Sequence, residues 1–170
     1  MVSETFTIKK GQHYSNRWFK KLIWFFTQGR CMELNFTFNQ SDLLYECDDP
    51  EGWGLQWNKL FGLTSWNIHD TSIRLVWRTR KDKVEYAIYM YIDGKRYIYP
   101  IECTFDNSST IEAKLSLLNN LAIITLRNKK TVQSMACSFP SPKQAMWFAY
   151  PYFGGKVPAN KTFKINLIIK

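Results

Sequence analysis

Ser72-Ile73-Arg74-Leu75-Val76-Trp77-Arg78, Glu85-Tyr86-Ala87-Ile88-Tyr89-Met90-Tyr91-Ile92 and the Asp93-Gly94 that follows them decide the fold. In the first run Ile73, Leu75 and Trp77 alternate with Ser72, Arg74 and Arg78. In the second, Tyr86, Ile88, Met90 and Ile92 alternate with Glu85, Ala87, Tyr89 and Tyr91. A period of two sends successive side chains to opposite faces of a pleated strand, so each run predicts a strand with one face in a core and the other toward water. Asp93 and Gly94 both tolerate positive φ and predict a two-residue hairpin into the next run, Arg96 to Cys103.

The same period recurs on either side. Leu34, Phe36 and Phe38 alternate with Glu33, Asn35 and Thr37, and Phe163, Ile165, Leu167 and Ile169 alternate with Lys164, Asn166 and Lys170. Asp106-Asn107-Ser108-Ser109 and Arg127-Asn128-Lys129-Lys130 have turn composition. Ser41-Asp42-Leu43-Leu44 and a turn opened by Ser141-Pro142 and running to about Met146 are the two short helices expected, the second because Pro at the first helical position loses no needed N–H. Strands of this length, spaced by turns and without a repeat or linker, predict an all-β antiparallel two-sheet sandwich or jelly roll occupying residues 1–170 as one domain.

Composition agrees. Of 170 residues 45% are hydrophobic and 16% aromatic, with seven Trp, nine Tyr and twelve Phe, a balance suited to half-buried pleated surfaces. Twenty-three Lys and Arg against fourteen Asp and Glu give a net charge of +9, which biases encounters toward polyanions. Cys31, Cys47, Cys103 and Cys137 never form a C-x-x-C pair, so neither a zinc knuckle nor a thioredoxin-type site is expected, and free thiols are. The N-terminal Met-Val-Ser-Glu-Thr is not the start of a secretory signal. A cytoplasmic or virion setting follows, and the sequons at Asn35, Asn39, Asn107 and Asn160 then carry little weight. The apolar stretch from Trp18 to Phe26 is too short to cross a bilayer and is interrupted by Lys20 and Lys21; burial in the core or in an oligomer interface is expected for it. Trp53, Trp57 and Trp66 lie among glycines and are expected to plug the core.

No nucleophile elbow, dinucleotide fingerprint or P-loop is present, and no metal or cofactor is expected. His13-Tyr14 follows Gly11 in a turn, where a loop hydrogen bond suits the histidine. His69 stands beside Asp70, which could orient it as a base, although a surface turn suits it as well.

Asn58-Lys59-Leu60-Phe61-Gly62, then Ser72 to Arg78, then Glu85 to Tyr91, in that order, resembles the concanavalin-like sandwiches of polysaccharide lyases. Lys10-Gly11-Gln12-His13-Tyr14-Ser15 and Tyr150-Pro151-Tyr152-Phe153-Gly154-Gly155 resemble a set of short proteins of Bacteroidota and their phages. The lyase resemblance implies a jelly roll whose concave sheet holds an extended polymer, with Arg74, Arg78, Tyr89 and Tyr91 facing the groove and Tyr150 to Gly155 as a groove wall. Arginine offers paired donors to a carboxylate, and aromatic rings offer faces to sugar C–H groups; His13, Tyr14 and His69 complete the expected ligand site. The reading that follows is a non-catalytic, lectin-like recognition module of phage or mobile-element origin that binds a glycan or another polyanion, as on a virion surface, alone or as a homo-oligomer. An intracellular protein that sequesters a phosphorylated ligand or blocks a host partner is one alternative. A small polysaccharide lyase is the other, but only two histidines are available and no motif marks a tyrosine as base.

Overall fold

A computed structural model of the chain describes residues 2–15, 33–46, 57–103, 105–140, 146–155 and 157–169. The stretch from Trp18 to Phe26, the turn expected at Ser141-Pro142, Trp53, Cys31 and Cys47 lie outside the described residues. The strands are β1 (Val2–Ile8), β2 (Glu33–Asn39), β3 (Asn58–Thr64), β4 (Ser72–Arg80), β5 (Lys83–Ile92), β6 (Lys95–Ile101), β7 (Thr110–Leu118), β8 (Leu121–Arg127), β9 (Val132–Ser138), β10 (Trp147–Ala149) and β11 (Phe163–Ile169). They form a five-stranded sheet in the order β10-β3-β4-β5-β6 and a four-stranded sheet in the order β2-β7-β8-β9, and β1 pairs with β11. Every pairing is antiparallel, and β11 runs beside β2, so the β1–β11 ribbon flanks the second sheet. The expected sandwich is the observed fold.

The alternation places the core as expected. Ile73, Leu75 and Trp77 of β4 and Tyr86, Ile88 and Met90 of β5 meet Leu34, Phe36 and Phe38 of β2 and Ile111, Ala113 and Leu115 of β7 in one buried cluster. Phe36 packs its ring 3.9 Å from that of Phe61 and 5.5 Å from that of Phe148, joining the two sheets. Two polar groups deep in this core have partners, since an unpaired one would forfeit its hydration. The Trp77 indole N–H donates to the Leu43 carbonyl at 3.2 Å, and the Tyr86 hydroxyl donates to Gln40 Oε1 at 3.0 Å.

The expected second face differs. Ser72, Arg74 and Val76 of β4 are buried rather than bathed in water, since Trp57, Ala87, Tyr89, Tyr91 and Ile98 pack with Val76 as a second, small apolar cluster. The helix expected from Ser41 is a 3-10 turn, Gln40–Leu43, and no α-helix occurs among the described residues. Cys137 is buried and Cys103 half-buried, both as free thiols, and burial pushes each up to about 11. No helix among the described residues is long and apolar enough to cross a membrane.

Candidate functional site

A cleft of about 830 Å³ lies on the side of the five-stranded sheet away from the main core. Its floor is Lys59 of β3, Arg74 of β4 and Tyr89 and Tyr91 of β5, and its walls include Trp66 and Tyr152. β3 brings Lys59 there through an irregularity, because the β3–β4 register shifts between Lys59 and Phe61. Opposite Arg74 stands Gly62. A Cβ on Gly62 would come within 2.1 Å of the Ile73 carbonyl oxygen and 2.7 Å of Arg74 Cγ, so the missing side chain is what lets the arginine lie across its neighbour.

The wall is held by backbone pairing. Lys59 and Tyr152 exchange both of their N–H···O=C bonds, each at 2.8 Å, and Tyr14 bridges in turn to Tyr152. The Phe153 N–H donates to the His13 carbonyl at 2.8 Å. Buried Asn58 locks the next residue: its Oδ1 accepts from the Gly154 N–H at 2.8 Å, and its Nδ2 donates to the Tyr45 hydroxyl at 3.0 Å. The segment expected as a groove wall is thus a strip pinned to β3, and Tyr150, Pro151, Tyr152 and Gly155 line the cleft on one side.

Among the described residues, two cations of this cleft, Arg74 and Lys59, have no anionic partner. Arg74 is only 4% exposed. One of its Nη atoms donates to Ser72 Oγ at 3.1 Å, while its Nε, also buried, meets no acceptor among the described residues. The guanidinium lies 5.4 Å from the centre of the Tyr89 ring, and the Lys59 ammonium lies 5.2 Å from the same ring and 5.4 Å from that of Tyr152. Lys59 Nζ donates to the Trp57 carbonyl at 2.9 Å. Burial, then the positive charges of Arg74 and Arg96, push its amine down to about 8. No Asp or Glu lines the cleft among the described residues.

The phenols move the other way. Burial, reinforced by the Tyr91 hydroxyl 3.4 Å away, raises Tyr89 above its ordinary value, and Arg96 offsets part of that rise. Burial and the nearby Tyr14 raise Tyr152. Both stay protonated at neutral pH and serve as hydrogen-bonding groups, whereas a tyrosine base needs the opposite displacement.

Of the residues expected from the sequence, Arg74, Tyr89, Tyr91, Tyr14 and His69 are brought together in the cleft lining, and Arg78 and His13 stand outside it. Arg78 is engaged elsewhere: its Nε donates to Glu85 at 2.7 Å, and its guanidinium covers the Trp57 ring at 4.3 Å. His13 lines a smaller depression and stacks 5.7 Å from the Tyr152 ring. Its Nδ1 lies 2.8 Å from the Phe153 carbonyl; because a carbonyl only accepts, Nδ1 carries the proton there. His69 sets its ring edge-on to Tyr91, 5.1 Å away. The expected core role of Trp66 is corrected: it is 83% exposed at the cleft, and Trp57 is half-buried beneath Arg78. Lys59 and Trp147 are cleft residues that the sequence did not single out as ligand groups, and Tyr152 was expected only as part of the groove wall. The available signal for Lys59 was a lone charge at the head of the apolar run Leu60-Phe61-Gly62-Leu63. Among the described residues, no group of three or more His, Cys, Asp or Glu is placed to hold a metal ion.

Comparison with solved structures supports the architecture. An alginate lyase from Klebsiella pneumoniae superposes with a TM-score of 0.61 at 12% sequence identity, over 81% of this chain and 58% of that one. A xylan beta-1,4-xylosidase from Bacillus halodurans C-125 gives a TM-score of 0.47 at 11% identity, over 82% of this chain and 27% of that one. At 12% identity the likeness to the lyase is one of fold, an all-β sandwich, and this chain spans little more than half the length of the lyase. No protein-family model matches the chain. No curated protein sequence matches it either.

Proposed function

We propose that this protein is a non-catalytic recognition module that binds an acidic glycan in the cleft above β3, β4 and β5. The observation that carries the reading is Arg74, a guanidinium 4% exposed, with an unpartnered buried Nε and no carboxylate lining its cleft among the described residues. Burying a cation without a counter-charge is costly, and an arriving carboxylate recovers that cost while accepting the unused N–H. Lys59 adds a second positive group, and the rings of Tyr91, Trp66 and Tyr152 offer stacking faces that a sugar needs and a simple inorganic anion does not. The sandwich shared with an alginate lyase supports a uronate polymer as the occupant. The raised phenols of Tyr89 and Tyr152 favour holding a sugar over abstracting its proton.

The sequence suggests two settings that would use this cleft differently. Display on a phage virion calls for a glycan in it, and sequestration inside a host cell calls for a phosphorylated small molecule. Titration of tryptophan fluorescence, with Trp66 and Trp147 at the cleft as reporters, separates them. An oligouronate is expected to bind, a neutral xylo-oligosaccharide to bind weakly, and ATP not to compete. Arg74→Ala and Tyr89→Ala are expected to weaken oligouronate binding by at least about tenfold, as loss of a buried charged contact does, while the midpoint of thermal unfolding of Arg74→Ala does not fall. Binding of ATP in preference to the oligouronate would overturn the glycan assignment. Unsaturated-uronate absorbance developing in the mixture would overturn the non-catalytic one.

A further inference from the structure

The amine of Lys59 has chemistry that holding a glycan does not use. It is fixed at its root by β3, where Lys59 pairs with Tyr152 on one side and Val76 on the other, and it projects into the cleft rather than toward bulk water. Around it stand the Trp57 carbonyl, to which it donates at 2.9 Å, two tyrosine faces, the Arg74 guanidinium and the Gly154 backbone. A Cβ on Gly154 would stand 2.7 Å from Nζ, so that glycine keeps the space around the amine open. Every charged group that bears on it electrostatically, Arg74 and Arg96, is positive.

We infer that Lys59 is a nucleophilic amine that forms a reversible imine with small carbonyl compounds carrying a carboxylate, the carboxylate docking on Arg74. The inference rests on reading this cleft as an anion site. A lysine gains nucleophilic character when it is desolvated or set beside another cation, because a larger fraction of it then carries a free lone pair near neutral pH, and burial together with Arg74 and Arg96 has that effect here. Arg74 and Lys59 both lie over the ring of Tyr89, so a carboxylate accepting from the unused Arg74 Nε places an adjoining carbonyl carbon in the neighbourhood of Nζ. The Lys59 lone pair adds to that carbon, a C–N bond forms, and the carbonyl oxygen takes up a proton to give a carbinolamine. Loss of that hydroxyl, together with the remaining amine hydrogen, releases one water and leaves C=N. The paired hydroxyls of Tyr89 and Tyr91, 3.4 Å apart and held protonated on the Tyr89 side by burial, can pass a proton to the departing oxygen.

Glyoxylate is the probe, with cyanoborohydride to trap the imine as a carboxymethyl-lysine that peptide mass spectrometry locates. In the full chain at pH 7.5, Lys59 is expected to be labelled about tenfold faster than the exposed Lys81 and Lys83, a lower-pKa amine being more often unprotonated though intrinsically less nucleophilic. Acetate, which offers a carboxylate and no carbonyl, is expected to slow labelling of Lys59 and of no surface lysine. Arg74→Met is expected to slow glyoxylate labelling of Lys59 severalfold more than formaldehyde labelling, which loses only the guanidinium's effect on the amine; the acetate experiment stands in for this variant if it does not fold. Lys59 labelled no faster than Lys81 while an oligouronate still binds would overturn the imine chemistry and spare the cleft reading. Rapid formaldehyde labelling of Lys59 with no glyoxylate preference, no acetate protection and no oligouronate binding would overturn both.

Discussion

Lys59 and Arg74 illustrate how one residue can be unfavourable to the fold and useful to the site. In the unfolded chain a lysine keeps its proton until about pH 10.5, while in the folded protein burial and two cations bring Lys59 down to about 8. Below pH 8 the folded state therefore carries the full cost of holding the charge. Between 8 and 10.5 the unfolded chain binds more protons than the folded one, so this group makes stability rise with pH, and above 10.5 the cost is gone. Lys59→Met removes the charge at nearly constant volume but leaves the Trp57 carbonyl without its donor, a loss of about 1 kcal/mol. The variant is expected to be more stable than wild type by about 1–2 kcal/mol at pH 7, with that advantage gone by pH 10. Urea unfolding of both proteins at the two pH values measures it, and titration of the tyrosines largely cancels in the difference. An advantage of the same size at both values would mean that the amine is solvated in the folded state. The place of Arg74 on the face away from the main core was legible from the alternation of β4, and a groove on that face was implied by the resemblance to lyase sandwiches. The burial of Arg74 was not legible, since what covers it comes from residues near 152, far along the chain.

Among the elements, the β4–β5 hairpin carries both the core and the cleft floor, yet its turn is chemically ill-suited. Lys81 and Asp82 both adopt positive φ, 48° and 59°, as Asp93-Gly94 and Asn119-Asn120 do in the next two-residue hairpins. Asn, Asp and Gly reach that region at small cost, whereas a lysine there crowds its Cβ against the backbone. Replacing Lys81-Asp82 by Asn-Gly is expected to stabilise the protein by about 1 kcal/mol. The exchange leaves the net charge unchanged and keeps the Asp82 carbonyl that accepts from Asn107. Chemical denaturation checks it, and an unchanged or lower midpoint would show that this turn is held by contacts that outweigh its backbone preference. The same pair marks a limit of the sequence. Asp93-Gly94 announced its hairpin because glycine permits the turn; Lys81-Asp82 did not announce its own, because only the closure of β4 on β5 forces the conformation. Alternation revealed the core face of β4 and β5, where tertiary burial and local pattern coincide. It mistook the other face for solvent, because Ser72 and Arg74 look like surface residues until Trp57, Tyr89 and the strip at Tyr152 are folded over them. β10 has three residues, too few for any period to register, and so the strip that walls the cleft could be named from the sequence but not placed.

Across the whole molecule, a net charge of +9 and the two cations of the cleft, Arg74 and Lys59, act over different distances, and their effects on binding can be separated. The long-range field attracts an acidic chain before contact and is screened over about 8 Å at physiological ionic strength. Arg74 and Lys59 act after contact, at short range and away from bulk water, where salt penetrates little. Raising the salt from about 0.05 to 0.5 M should therefore slow association of an oligouronate by about tenfold or more, as it does where encounter is steered by charge. Dissociation should change by no more than about twofold, because the contacts broken on leaving are the buried ones. Stopped-flow fluorescence through the cleft tryptophans resolves the two rates, and a neutral oligosaccharide of equal length serves as the control whose association salt should not touch. If salt instead accelerated dissociation and left association unchanged, the ligand would be gripped by exposed lysines and arginines on the surface. Arg74 and Lys59 would then be buried cations of the sheet with no anion to receive.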